Sequence, residues 1–279
     1  MQTLSPFWQS VLDLCCDTTQ IVGDRLLADF AKVQAEFKSD GSVVTECDRW
    51  ADATIVGAIS KTFPEHGVLS EEGAQVFPET DWCWIIDPLD GTNNFTRGVP
   101  VWDISIGLLY RGTPVFGYLS APPLNQAFYG FYGDRDLVPE LPDNGAWTAD
   151  GRTLQPSPDD PSRTHFASFC SRSWMLKPAE FPLKGRALGA AAYNLVSVAM
   201  GSVLSSVEAS PKIWDIAAAW PILHAAGGVW HPLTAGALFP LKAGKNYSEV
   251  PYPTLAVSRA ELLPVVLPIT EPLRAAYAK

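Results

Sequence analysis

The sequence predicts an α/β chain in two parts. Two amphipathic helical stretches open it. Strand-like runs separated by short turns follow, in the manner of an antiparallel meander. Beyond a segment dense in Pro, Ser and Asp, strands and helices alternate, as they do in an α/β layer.

Each element has a local reason. Ser5-Pro6 starts a helix, with Pro at the first helical position, where its missing N–H costs nothing. Val11, Leu12, Leu14, Cys15, Ile21 and Val22 carry that helix towards Phe30 with an apolar face. Lys38-Ser39-Asp40-Gly41-Ser42 reads as a turn. Thr45-Glu46-Cys47-Asp48 reads as a capping box opening a second helix, which stops before Phe63-Pro64. Residues 67–70, 82–87, 104–110, 115–121 and 127–131 read as strands, the last three forming the meander. Ala149-Asp150-Gly151-Arg152 is a hairpin turn signal. The domains are expected at 1–155 and 164–279, with a linker at 156–163. In the second part, 164–169, 203–207, 229–232 and 254–257 read as strands. Residues 190–200, 213–226 and 273–278 read as helices, and Pro221 should kink the second of these.

Composition narrows the function classes. Of 279 residues, 47% are hydrophobic and 18% charged, which excludes a disordered chain. A formal charge of −10 opposes a nucleic-acid or membrane surface. An anionic substrate stays open, because bound divalent cations reverse the sign inside one pocket. Five cysteines, an odd number without a CxxC pair, read as reduced thiols of a cytoplasmic protein. No secretory signal and no membrane-spanning run are expected.

The chemistry concentrates in Trp84-Ile85-Ile86-Asp87-Pro88-Leu89-Asp90-Gly91-Thr92-Asn93-Asn94-Phe95. Two carboxylates at a strand end suit a hard divalent cation, which takes oxygen ligands. Pro88 restricts the backbone between them, and the Leu89 carbonyl is placed to act as a neutral ligand. Gly91 allows close backbone approach, and the Gly91 and Thr92 N–H groups suit phosphate oxygens. Asp-Gly is also a common turn pair, so spacing alone leaves an acidic turn equally open. Other acids are similarly two-sided. Glu71-Glu72 would also fit a solvated face, Asp215 a helix-dipole partner and Asp48 a cap.

Residues 84–95 resemble the signature of the inositol monophosphatase family, W-x-x-D-P-x-D-G-T-x-x-F. Lys38…Thr45-x-x-Asp48, Glu71-Glu72, Gly145-Ala146…Asp150-Gly151…Leu154, Gly189-Ala190-Ala191-Ala192…Asn194 and Trp214-Asp215…Ala226-Gly227-Gly228 extend the resemblance over nearly the whole chain, in family order. The resemblance implies an α-β-α-β-α sandwich. An antiparallel N-terminal sheet would lie with paired helices, and a mixed C-terminal sheet with flanking helices. It also implies a Mg²⁺-dependent, Li⁺-sensitive phosphoric monoester hydrolase, commonly a homodimer.

On these residues the resemblance implies a first Mg²⁺ on Glu71, Asp87 and the Leu89 carbonyl, and a second on Asp87, Asp90 and Asp215. A weaker third ion would involve Glu71 through water. Thr92, bonded to Asp48, would orient and help deprotonate the attacking water, with Glu71 assisting. Gly91 and Thr92 would grip the phosphate. Glu208, Gly189, Ala190 and Ala191 would line the substrate pocket, and Lys38 would assist from a loop. His66, His165, His224 and His231 are assigned no catalytic part.

Three positions depart from the family pattern. Ser70 stands where Gly is common. Lys212 adds a cation after Glu208, either solvated or reaching a second phosphate. Asp103 adds an acid near the presumed site, read as an exposed loop or strand-start residue unless the fold places it near metal. The first expected substrate is myo-inositol monophosphate, a small phosphorylated polyol. Rivals on the same fold are fructose-1,6-bisphosphatase, histidinol-phosphate phosphatase and 3′-phosphoadenosine-5′-phosphate phosphatase. A non-catalytic metal- or phosphate-binding regulator is the different class.

Overall fold

The computed structural model describes residues 3–38 and 41–277. Ser39 and Asp40 of the expected turn, and Ala278 of the expected last helix, lie outside the described residues. Helix α1 (Pro6–Asp29) leads to a small hairpin of β1 (Glu36–Phe37) and β2 (Val43–Val44). Helix α2 (Glu46–Thr62) opens on the expected capping box, Thr45 with Asp48. Strands β3 (Gly67–Ser70) and β4 (Trp82–Asp90) follow, then the short α3 (Thr92–Arg97). The meander is β5 (Asp103–Tyr110), β6 (Thr113–Ala121), β7 (Gln126–Phe131) and β8 (Gly145–Thr148).

The second part contains β9 (Phe166–Phe169), α4 (Ser171–Trp174), β10 (Lys184–Arg186), α5 (Ala191–Ala199) and β11 (Ser205–Glu208). It continues with α6 (Ile213–Ala217), α7 (Ala219–Ala226), β12 (Val229–Pro232), β13 (Thr254–Val257) and α8 (Leu263–Tyr277).

Two mixed sheets organise these elements. The first has the order β3-β4-β5-β6-β7-β8 and the second β10-β9-β11-β13-β12. The first sheet is not wholly antiparallel as expected, because β3 runs parallel to β4. Residues 71–81 carry the chain back between them, which a tight hairpin could not do. The expected helix at 213–226 is broken at Ala218 into α6 and α7. Pro221 has no N–H to offer the Ala217 carbonyl, so the ladder fails there. Helix α8 starts ten residues earlier than expected, at Leu263 rather than 273. Pro264, Pro268 and Pro272 recur every fourth residue and confine the lost bonds to one stripe. Leu262 and Val266 anchor the helix start in the core under the second sheet, and packing outweighs propensity.

Five layers result. Helices α1 and α2 cover one face of the first sheet through Trp8, Val11, Ile55, Trp84 and Phe116. Its other face meets α6 and α7, and α5 lies between α7 and the second sheet. The outer face of the second sheet packs on α8 through Val207, Leu255, Val257 and Val266. At the centre, Gly107, Gly117 and Gly130 are cross-strand neighbours and form a bare stripe. The α6–α7 junction presses into it. A Cβ at Gly117 would sit 2.0 Å from the Ala218 carbonyl oxygen, and one at Gly107 2.7 Å from the Ala217 carbonyl carbon. That close seat sets the depth at which α6 presents Asp215.

Candidate metal centre

Strand β4 delivers the first two acids through a bulge. Alternation along β4 turns Cys83 and Ile85 towards α6, and Trp84 and Ile86 towards α1 and α2. Asp87 and Asp90 are three residues apart, so a regular strand would send them to opposite faces. Pro88 cannot donate to the ladder, and the register with β5 shifts between Asp87 and Asp90. The shift brings both carboxylates to the α6 side, where the Leu89 N–H donates to Asp87 Oδ1 at 3.0 Å. Helix α6 supplies the third acid from the opposite layer. Asp215 is pinned by the Lys212 N–H, which donates to its Oδ2 at 2.7 Å.

Ligand oxygens of Asp87, Asp90 and Asp215 all lie within 4.8 Å of one another. Burial and then the neighbouring acids push the Asp87 and Asp90 carboxyls well above the usual carboxylate range. Burial also raises Asp215, to about 6, against the opposing pull of the Lys212 N–H. Glu71, following β3, rises to about 7 through burial, even though the Lys38 ammonium donates to it at 2.9 Å. Burial pulls Lys38 down, and its ion pairs with Glu71 and Glu72 outweigh that and leave it raised. Four acids drawn from three separate segments, each made harder to ionise by burial, converge here, as in a cation site. The donor set is all oxygen, which fits a hard divalent cation such as Mg²⁺.

Beside the acids, Gly91 takes φ +91° and opens α3. A Cβ there would stand 3.1 Å from the Val101 carbonyl, in a backbone region that favours glycine. Thr92 begins the helix. Its hydroxyl has one proton, which Asp48 Oδ1 receives at 2.9 Å, with the Leu89 carbonyl second at 3.1 Å. Asp48 is 1% exposed and also accepts the Thr45 N–H and hydroxyl. Burial still holds its carboxyl above the usual range.

The remaining expected residues gather on the same side. The Ala192 N–H at the start of α5 donates to Asp90 Oδ2 at 2.7 Å, so Gly189, Ala190 and Ala191 lead directly to the cluster. Asn94 ties α3 to that turn by donating to the Leu188 and Val101 carbonyls. Glu208 is buried at the end of β11 and accepts from Asn194 Nδ2 at 2.8 Å. Lys212 does not extend into solvent; its ammonium donates to the Ser248 carbonyl. None of the histidines sits in the cluster. His66 stacks in an aromatic nest with Trp84 Nε1 donating to its Nδ1 at 3.0 Å, and His224 stacks on Tyr132.

Sequence reasoning missed two things. Asp103 was expected to be exposed, yet it is 0% exposed, at the start of β5 directly opposite Asp90. Its parity with Ser105 and Gly107 was the available signal, since alternation sends all three to one face. The second is a brace. Residues 242–252 bind the Glu71 segment through Phe77 N–H to the Lys245 carbonyl (2.9 Å) and Tyr247 N–H to the Gln75 carbonyl (3.1 Å). They bind the Asp215 segment through Tyr252 N–H to the Pro211 carbonyl (2.8 Å). No local pattern announces such a contact.

Comparison with known proteins agrees with this geometry. The pattern of the Inositol monophosphatase family matches residues 8–260. A Pasteurella multocida protein named Nus factor SuhB is 32% identical over 208 residues, covering 71% of this chain and 74% of its own. A Thermotoga maritima fructose-1,6-bisphosphatase/inositol-1-monophosphatase is 32% identical over 227 residues, covering 78% and 83%. The solved structure of a Thermotoga maritima IMPase superposes with a TM-score of 0.77 at 29% identity, over 94% of this chain and 98% of that one. Fold, acid cluster and sequence match converge, and the chain belongs to the inositol monophosphatase family.

Proposed function

We propose that this chain is a Mg²⁺-dependent phosphomonoesterase whose first substrate is myo-inositol monophosphate. The convergence of Asp87, Asp90 and Asp215 within 4.8 Å, from strand and helix of opposite layers, carries the reading. Glu71, Asp87, Asp90, Asp215 and the Leu89 carbonyl would hold two to three cations. Bound there, divalent cations neutralise charge on the phosphoryl oxygens and on the leaving group, and make water easier to deprotonate.

The chain's own residues do the rest. Gly91 and Thr92 offer N–H donors to the phosphate at the start of α3. Thr92 Oγ1 receives a proton from the attacking water as its own passes to Asp48 Oδ1, 2.9 Å away. The raised Asp48 carboxyl makes that transfer easier. Burial keeps the site from bulk water, where fixed dipoles and charges count for more. Glu208, fixed by Asn194, and the Gly189–Ala191 turn contact the polyol hydroxyls. Lys38 holds Glu71 and Glu72 in place.

A relative that carries both a fructose-1,6-bisphosphatase and an inositol-1-monophosphatase name keeps bisphosphates in play. The engagement of Lys212 with Ser248 favours a monophosphate. Histidinol phosphate and 3′-phosphoadenosine-5′-phosphate complete the panel. The relatives named Nus factor SuhB support a second, non-catalytic reading, against which the complete acid set argues. Release of phosphate from the four substrates with Mg²⁺ decides. Inositol 1-phosphate should be turned over fastest and be inhibited by Li⁺. A best rate on another substrate overturns the choice, and no release from any supports the non-catalytic reading.

A cytoplasmic homodimer with domains at 1–155 and 164–279 completes the proposal. Strands of the first sheet all precede Ala149 and those of the second all follow His165, which supports the division. Among the described residues, no helix is long and apolar enough to cross a membrane. Size-exclusion chromatography with light scattering tests the dimer.

A further inference from the structure

Asp103 is fully buried, and neither of its carboxylate oxygens has a hydrogen-bond partner. Asp48 is the contrast. It is as deeply buried, but three donors satisfy it. A buried carboxylate left without donors is costly unless something of opposite charge compensates it. Among the described residues, no basic side chain does so around Asp103. It faces Asp90 across the β4–β5 ladder, and Asp215 acts on it from α6. The Asp90 side chain and the Tyr193 N–H of α5 both approach it, but neither reaches full hydrogen-bond geometry.

Direction follows from the strand. Ser105 shares the parity of Asp103, and its hydroxyl donates to the Trp214 carbonyl, so this face of β5 looks onto α6. Asp103 therefore points at the layer into which Asp215 is delivered. It is an orphaned, buried carboxyl group aimed at a cluster of carboxyl groups, and a cation that answers the cluster answers Asp103 as well.

We propose that Asp103 is a further carboxylate of the cation centre, on the Asp90 side, beyond Glu71, Asp87, Asp90 and Asp215. The proposal rests on reading that cluster as a cation centre. Divalent-cation affinity rises with the number of charged oxygen ligands, so Asp103 makes the centre hold its cation more tightly in the absence of substrate.

The test is calorimetric titration of the full chain with Mg²⁺ alone and with Mn²⁺ alone, without substrate. Wild type is compared with Asp103→Asn, with Asp103→Ser as the smaller variant should the amide not be accommodated, and with Asp90→Asn. Near-ultraviolet circular dichroism checks each fold. Both Asp103 variants should bind Mg²⁺ about tenfold more weakly, or with one equivalent fewer, and show a smaller thermal shift on Mg²⁺ addition. Affinity and stoichiometry equal to wild type in both, with weakened binding in Asp90→Asn, overturn the role of Asp103 and leave the centre standing. Wild-type binding in Asp90→Asn too overturns the cation centre itself.

Discussion

Replacing Asp90 by Asn removes one charge from the cluster while keeping its shape. The Asn carbonyl still accepts the Ala192 N–H, now 2.7 Å from Asp90 Oδ2, and the new amide has Asp103 beside it as an acceptor. With ligand oxygens no more than 4.8 Å apart, each ionised pair repels by about 3.5 kcal/mol at an effective dielectric near 20. Asp90 enters two of the three pairs among Asp87, Asp90 and Asp215. Proton uptake by the raised carboxyls relieves most of this in the cation-free protein, which leaves a realised gain of about 1–3 kcal/mol. Cation-free Asp90→Asn should therefore melt about 2–6 °C above wild type. The gap narrows with Mg²⁺. A cation at one hundred times its Kd adds about 2.7 kcal/mol to wild type, and a tenfold loss of affinity in the variant forfeits about half of that. The assay is a melt monitored by circular dichroism in EDTA and across a Mg²⁺ series. A variant less stable than wild type in EDTA, with an unchanged Mg²⁺ shift, would refute the reasoning.

Thr92→Val keeps the shape but removes the proton path to Asp48; phosphate release should fall at least about 100-fold, with Mg²⁺ affinity by calorimetry nearly unchanged. Gly117→Ala places a methyl 2.0 Å from the Ala218 carbonyl, so chemical denaturation should show a loss of about 3 kcal/mol, and Mg²⁺ binding should weaken as α6 shifts. His66 and His224 are both pushed down to about 4 by burial, so each favours the fold while neutral. Their folded values lie below the unfolded one near 6.5. The stability is therefore present above pH 6.5 and is lost as pH falls towards 4, about 2 kcal/mol per ring at pH 5. The difference in denaturation midpoint between wild type and His66→Phe across pH 4.5–7.5 cancels the acid cluster and isolates this slope.

How far the site was legible depended on whether its signals were local. The Thr45–Asp48 cap, the Asp87–Thr92 turn and the meander are written in adjacent residues and stand where they were expected. The parallel β3–β4 pair was not legible, because direction is set by a crossover whose path no residue encodes locally. Pro264, Pro268 and Pro272 concealed α8, since their helix rests on packing with the second sheet. Asp103 was misplaced for the opposite reason. Its alternation with Ser105 and Gly107 was present, but a charged side chain after a Pro turn is ordinarily exposed, and only its pairing with Asp90 buries it. The brace at residues 242–252 joins segments far apart in the chain by backbone bonds, which leave no mark on side-chain pattern.

The initial rate of phosphate release from inositol 1-phosphate, followed from EDTA-treated protein through increasing Mg²⁺, tests the central claim most directly. Release should be absent at the start, rise with Mg²⁺, and stay flat throughout in Asp215→Asn. Release that needs no divalent cation, or that survives the loss of Asp215, would contradict a cation centre as the seat of the chemistry.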